Sequence, residues 1–241
     1  MARVTEHDRD KGLDLIKWLA ILTMVLDHLR YLWPNAEWLF ILGRLAFPFF
    51  CLGIAANIAR SPAGELYTEG NARYLIWMTV FAVMSEFPYR LLSDDSGTLN
   101  VMYSLMLGLL IVWGVHHRGR DGLLLVVVGV GVAVLIRERL MYGVFGVLLP
   151  AALLLAIRRP GLLWLLPAVL CVLANGRNRW VQEWDPPLFG ALILLVAFIA
   201  PVFGLWLLRR SYDLKFWAVR RWGYWFYPGH LIALYLIDFV A

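Results

Sequence analysis

LDLIKWLAILTMVLDHLRYL, residues 13–32, has the length of one bilayer crossing and yet keeps Lys17, Asp27 and His28 inside it. A bilayer core takes about 20 apolar residues per helix. The run lacks a small-residue cleavage site and follows an opening segment charged on both signs, so it does not read as a cleaved signal peptide. At about 100° per residue, Lys17 and His28 return to within roughly 20° of one face and stand about 16 Å apart along the axis. Asp14 and Tyr31 fall on the same stripe. Such a stripe is disfavoured against lipid and should point into a helix bundle or a wet cavity.

The rest of the chain agrees with a membrane solvent. Of 241 residues, 61% are hydrophobic and only 16% charged, with a mean hydropathy of +0.70, far from the soluble balance of roughly 45–50% apolar and 25% charged. Twelve Trp, thirteen Phe and ten Tyr fit the aromatic enrichment at headgroup level. The formal charge of +5 does not imply a nucleic-acid partner, because the basic residues fall between apolar segments and report topology. Cys51 and Cys171 lie far apart in apolar stretches and read as packing thiols. No linker, low-complexity tract or repeat period marks a second domain. Residues 1–241 therefore read as one transmembrane domain, with 1–12 as a cytoplasmic N-terminal segment.

Nine candidate spans follow: Leu13–Leu32, Trp38–Ile58, Ala72–Leu92, Leu99–His116, Leu123–Ile136, Tyr142–Ile157, Leu162–Ala174, Leu188–Leu208 and Tyr224–Val240. Those after Gly122, Gly143 and Gly161 run short and imply tilt or a locally thin membrane. Turn signals such as Pro34-Asn35, Asp95-Ser96-Gly97 and Asp185-Pro186-Pro187 separate them. With the N-terminus inside, fourteen Lys/Arg fall on the inner side; five, Arg90, Arg137, Arg139, Arg177 and Arg179, fall outside. That bias supports an all-α, polytopic chain with a cytoplasmic N-terminus. The hairpin at Arg137-Glu138-Arg139 is the weak joint, since a re-entrant element there would reverse everything downstream.

Ionisable groups at membrane depth are costly and are functional-site hypotheses by default. Lys17, Asp27, His28, Arg44, Glu86 and His230 qualify, while Arg30 and Arg90 lie near helix ends and are expected to snorkel. The stripe on the first span is either a functional pathway or a polar network joining helices. Adjacent residues of a helix face different neighbours, so Asp27 should meet another helix, with Arg44 as its candidate partner. In Gly43-Arg44-Leu45-Ala46-Phe47-Pro48, the proline frees an upstream carbonyl and makes a polar notch, or merely a kink behind an interfacial anchor. Glu86 is first a partner for a buried Arg or His and second a catalytic base. His230, after Tyr227-Pro228-Gly229, is either a packing histidine or an ionisable ring in the cytoplasmic half of the last span. His116 and His117 sit with Arg118 and Arg120 in a basic inner loop without the ligand set of a metal site. Phosphate-cradling loops, nucleophile elbows and zinc-protease motifs are missing.

The order of Leu13-Asp14-Leu15-Ile16-Lys17 through Asp27-His28, Gly43-Arg44-Leu45-Ala46-Phe47-Pro48-Phe49-Phe50, Ser85-Glu86-Phe87-Pro88, Leu99-Asn100-Val101 with Gly108, Tyr142-Gly143 with Gly146-Val147-Leu148, and Phe226-Tyr227-Pro228-Gly229-His230-Leu231 resembles the TraX family. The similarity covers nearly the whole chain. These are membrane proteins associated with N-terminal acetylation of conjugative pilin. The Lys17-x10-His28 spacing is also similar to the Arg/Lys-x10-His signature of the wider multi-pass membrane acyltransferases.

The resemblance implies a bacterial inner-membrane acetyltransferase that takes acetyl from cytoplasmic acetyl-CoA, without a metal, and passes it to a pilin or similar acceptor. It implies His28, Asp27 and Arg44 as catalytic residues, with His28 as general base, and Lys17, Asp14, Arg73 and His230 on the acetyl-CoA side. Glu86, Asn100, Tyr142 and Tyr227 are left to substrate binding or a structural polar network. An α-amino group of reference pKa about 7.7–8 is partly protonated near neutrality, so a positioned histidine base makes it nucleophilic, help worth about 10²–10⁴-fold. A transporter or pilus-assembly scaffold with a buried charge network is the alternative.

Overall fold

The computed structural model describes residues 11–93, 97–183, 187–212 and 217–240. Arg3, Arg9, Lys215, most of the N-terminal segment, and parts of the Asp95-Ser96-Gly97 and Asp185-Pro186-Pro187 turns lie outside them. Among the described residues the chain is helical, with one isolated bridge between Leu99 and Leu140 in place of any sheet. The helices are α1 (Lys11–Leu29), α2 (Leu39–Gly43), α3 (Ala46–Arg60), α4 (Glu69–Leu92), α5 (Val101–His117), α6 (Gly119–Leu135), α7 (Gly143–Arg158), α8 (Leu165–Asn175), α9 (Arg179–Gln182), α10 (Pro187–Leu208) and α11 (Trp222–Val240).

Each candidate span coincides with a helical stretch, and three differences have local causes. The first ends at Leu29 rather than Leu32, and Tyr31 leaves the helix on a turn whose N–H donates to the His28 carbonyl at 3.0 Å. The second is broken at Arg44-Leu45 into α2 and α3, where Pro48, in the first turn of α3, supplies no N–H for the Arg44 carbonyl. His116 and His117 do not lie in a loop: they complete α5 and are buried, His116 between the Ser61 carbonyl at 3.0 Å and the Arg158 guanidinium.

Among the described residues, three stretches are long and apolar enough to cross a membrane: Leu39–Arg60, which joins α2 and α3, Glu69–Leu92 and Pro187–Leu208. Val101–His117, Gly143–Arg158 and Leu162–Asn175 are apolar but shorter. The first lies 78% inside the protein, whereas α10, the most apolar of the three, is only 39% buried. Leu123, Leu124, Leu135 and Leu188 likewise stand more than half exposed. Apolar surface on that scale calls for lipid, not water, as its solvent.

The core lies around α5, whose Leu109, Ile111 and Val112 are sealed between α3, α4, α6 and α7. Close approach there depends on small residues: a Cβ on Gly114 would stand 2.3 Å from the Gly122 carbonyl, the kind of contact that holds membrane helices together. α1 and α11 run parallel, tied by Trp18 against Trp222 near their starts and His28 against His230 further along. Trp18 Nε1 donates to the Trp217 carbonyl at 2.8 Å and Trp222 Nε1 to the Ala218 carbonyl at 3.0 Å, fixing the segment that leads into α11.

Candidate functional site

His28, in the last turn of α1, meets His230 midway along α11 with the rings nearly parallel and 5.0 Å apart. Nδ1 of His28 lies 2.8 Å from Nε2 of His230, and Nδ1 of His230 lies 2.9 Å from the Phe226 carbonyl oxygen. A carbonyl only accepts, so Nδ1 of His230 carries a proton; in the neutral ring its Nε2 then accepts from Nδ1–H of His28. This bond order leaves the lone pair of His28 on Nε2. Phe226, one turn earlier, stacks on His230 at 5.3 Å and holds the second ring flat. His230 is thus level with His28, close to the midpoint of α11.

Asp27, one position along α1, turns to α2 and α3. Its carboxylate faces the Arg44 guanidinium at 3.5 Å and Arg30 at 3.6 Å. A Cβ on Gly43 would stand 2.4 Å from Asp27 Oδ1, so only glycine admits this side chain. Arg44 is 7% exposed. Its Nε donates to the Phe40 carbonyl at 3.2 Å and its Nη1 to Asn175 Oδ1 at 3.3 Å, while the Phe40 ring lies 3.7 Å from the guanidinium carbon. Asn175 is itself held on the Cys171 carbonyl at 2.8 Å. Tyr142 is buried beside this cluster and stacks on Phe47 at 3.9 Å. Arg44 therefore joins α1, α2 and α8, with its guanidinium turned to protein partners.

Between α1, α3, α4, α5 and α11 lies a cavity of about 420 Å³. Lys17 and Arg220 mark one part of its wall, Asn57, Tyr74 and Tyr224 add polar edges, and Ile21, Met24, Phe50, Ile54, Met78 and Leu105 make the bore apolar. Met24 and Tyr227, which also line it, precede His28 and His230 by about one helical turn each. A long ligand with an anionic head and an apolar arm matches this wall. Arg73 borders a second hollow of about 200 Å³, where Tyr74 and Tyr224 recur. Asp14 is buried near the start of α1, three residues before Lys17, and is not itself part of either lining.

Glu86 and Asn100 form a separate lock between α4 and α5. Asn100 caps α5 by accepting from the Met102 N–H at 3.0 Å, and its Nδ2 donates to Glu86 Oε2 at 2.7 Å and to the Ala82 carbonyl at 2.8 Å. Glu86 also accepts from Arg90 Nε at 2.8 Å. Arg90 folds back onto Glu86 and the Thr98 carbonyl, and Arg30 onto Asp27 and Tyr31, rather than only reaching outwards.

Sequence reasoning passed over Asn57, Asn175, Tyr74 and Tyr224, and took Arg220 and Arg221 only as members of the inner-side basic set. Asn57 and Asn175 carried a usable signal, a strongly polar amide inside an apolar run. The tyrosines carried none beyond the general aromatic enrichment. Among the described residues no group of three or more His, Cys, Asp or Glu could hold a metal ion, and Cys51 and Cys171 are buried free thiols.

Comparison with known proteins gives partial alignments. An uncharacterised protein of Rickettsia prowazekii is 28% identical over 96 residues, 39% of this chain and 34% of that protein. Protein TraX of Escherichia coli is 44% identical over 48 residues, 20% of this chain and 19% of that protein. The chain thus spans about a third or less of the curated relatives it matches. No solved structure matches. The sequence pattern of the family described as TraX protein matches residues 12–238, nearly the whole chain, and the protein belongs to the TraX family.

Proposed function

We propose that this protein is an acetyl-CoA-dependent acetyltransferase of the bacterial inner membrane. It crosses nine times with its N-terminus inside, and it passes acetyl to the N-terminal amine of a conjugative pilin subunit or a similar extracytoplasmic acceptor. The observation that carries the reading is the bonded order from the Phe226 carbonyl through His230 to His28, which leaves a basic nitrogen one turn beyond a cavity with cationic walls. The parallel run of α1 and α11 suits the first and last of nine alternating crossings.

In this reading the donor enters past Lys17 and Arg220 and lays its pantetheine arm along Ile21, Met24 and Met78. The acceptor amine attacks the thioester carbonyl; the new N–C bond forms as the C–S bond breaks. His28 Nε2 takes the proton released by the amine and returns one to the departing thiolate. Tyr227, on the cavity wall beside His230 and met by the Val101 backbone, is placed to donate its O–H to the oxyanion. Asp27 and Arg44 act as positioning residues, holding the end of α1 against α2 and α8.

The purified protein, given acetyl-CoA and a peptide with a free N-terminal amine, should add one acetyl group to that amine by mass spectrometry. The Asp27–Arg44–Asn175 and Glu86–Arg90–Asn100 networks favour a second reading, a transporter or assembly scaffold locked by buried charges. A thermal-shift titration separates the two. Acetyl-CoA should raise the melting temperature of an enzyme and leave a scaffold unchanged; absence of both shift and transfer would overturn the enzymatic reading.

A further inference from the structure

The smaller hollow lies between the first half of α4 and the start of α11, and its wall consists of Gly70, Arg73, Tyr74, Trp77, Arg221 and Tyr224. Tyr74 and Tyr224 line the larger cavity as well, so the two spaces share one aromatic partition. Their chemistry differs. The larger is mostly apolar; the smaller places two guanidinium groups beside an indole. Arg221 stands 5.9 Å from the Trp77 ring, and Phe81 stacks on Trp77 at 5.5 Å, which keeps the indole upright. Glu69 is the acidic group nearest Arg73, one turn away on the same helix, and pairs with it at the exposed rim. Exposed pairs of this kind are weak, so Arg73 can turn to a stronger anion.

We infer that the smaller hollow is the seat of the nucleotide end of the acyl donor. Arg73 and Arg221 grip the ribose 3′-phosphate monoester, Trp77 offers its surface to the purine, and the pantetheine arm crosses the Tyr74–Tyr224 partition into the larger cavity. This rests on the acetyl-CoA reading above. A guanidinium pair suits a dianionic phosphate because each fork makes two parallel charge-assisted hydrogen bonds. It also explains why cations surround this corner although the bore beside it is apolar. The same chemistry could instead receive an anionic lipid headgroup, so the test has an arm for each source.

The test compares acetyl-CoA with 3′-dephospho-acetyl-CoA by thermal shift and calorimetry, on protein in phosphatidylcholine nanodiscs with and without phosphatidylglycerol. The wild type should bind acetyl-CoA about tenfold or more tightly than the dephospho form, the scale of one charge-assisted contact. Arg221→Gln and Arg73→Gln should each shrink the difference, Arg221→Lys should restore part of it, and the double glutamine variant should bring the two donors to equal affinity. Trp77→Leu should weaken both donors alike, since both carry the purine. Equal binding of the two donors by the wild type, or a preference that survives both glutamine variants, would overturn the assignment while leaving acetyl-CoA binding intact. So would variants that change only the response to phosphatidylglycerol, which would make the hollow a lipid site. Failure of the wild type to bind either donor would remove the acetyl-CoA reading and this assignment together.

Discussion

Asp27 and His28 are neighbours in sequence and yet belong to different halves of the molecule. One helical step of about 100° sends the carboxylate to Arg44 and Arg30 and the imidazole to His230. The first is an ion-pair lock whose partners lie at the ends of α1 and α2, with Gly43 cleared to admit it. The second is a bonded ring pair that leaves a lone pair uncommitted. The comparison teaches that a charge at membrane depth is not by itself a sign of chemistry: Asp27 is neutralised by two guanidinium groups, whereas His28 keeps one ring nitrogen outside its bond to His230.

Breaking the lock should produce the largest change in stability. Arg44→Ala leaves the Asp27 carboxylate short of its buried partner and should cost about 3–5 kcal/mol, read as a much lower melting temperature in detergent. A variant as stable as the wild type would show that Arg44 is not a lock. On the other side, His230→Ala should keep the melting temperature close to that of the wild type. It should lower kcat roughly 10–100-fold with little change in KM, the effect of losing the group that sets the orientation and tautomer of a base. A pure KM effect would place His230 in donor binding instead. The smallest change is expected from Arg30→Gln. This half-buried partner shares Asp27 with the better buried Arg44, so its loss should cost about 1 kcal/mol or less; a collapse in stability would reverse the ranking of the two arginines.

Much of the frame was legible in the sequence because membrane helices announce themselves by apolar length, and α4, α10 and α11 fall within a few residues of the expected bounds. The turn of Asp27 away from His28 also followed from helical geometry, with Arg44 as the candidate partner that the structure places beside it. The pairing of His28 with His230 did not, because 202 residues separate them and no periodicity reports a contact between the two ends of a chain. Asn175 as a partner of Arg44 was hidden for the same reason. The kink at Arg44-Leu45 was signalled by Pro48, which leaves the Arg44 carbonyl without an N–H, but the continuous hydropathy of the run hid that it divides the span into two helices. Two cavities sharing a tyrosine partition are a property of assembled helices, to which single spans give no clue.

The measurement that bears most directly on the account is the rate of acetyl transfer by His28→Ala, made on protein whose melting temperature and acetyl-CoA binding are recorded in the same sample. The variant should fold and bind donor like the wild type and lose about 10²–10⁴-fold in transfer. Transfer at the wild-type rate by a folded, donor-binding variant would contradict a role for His28 as the base.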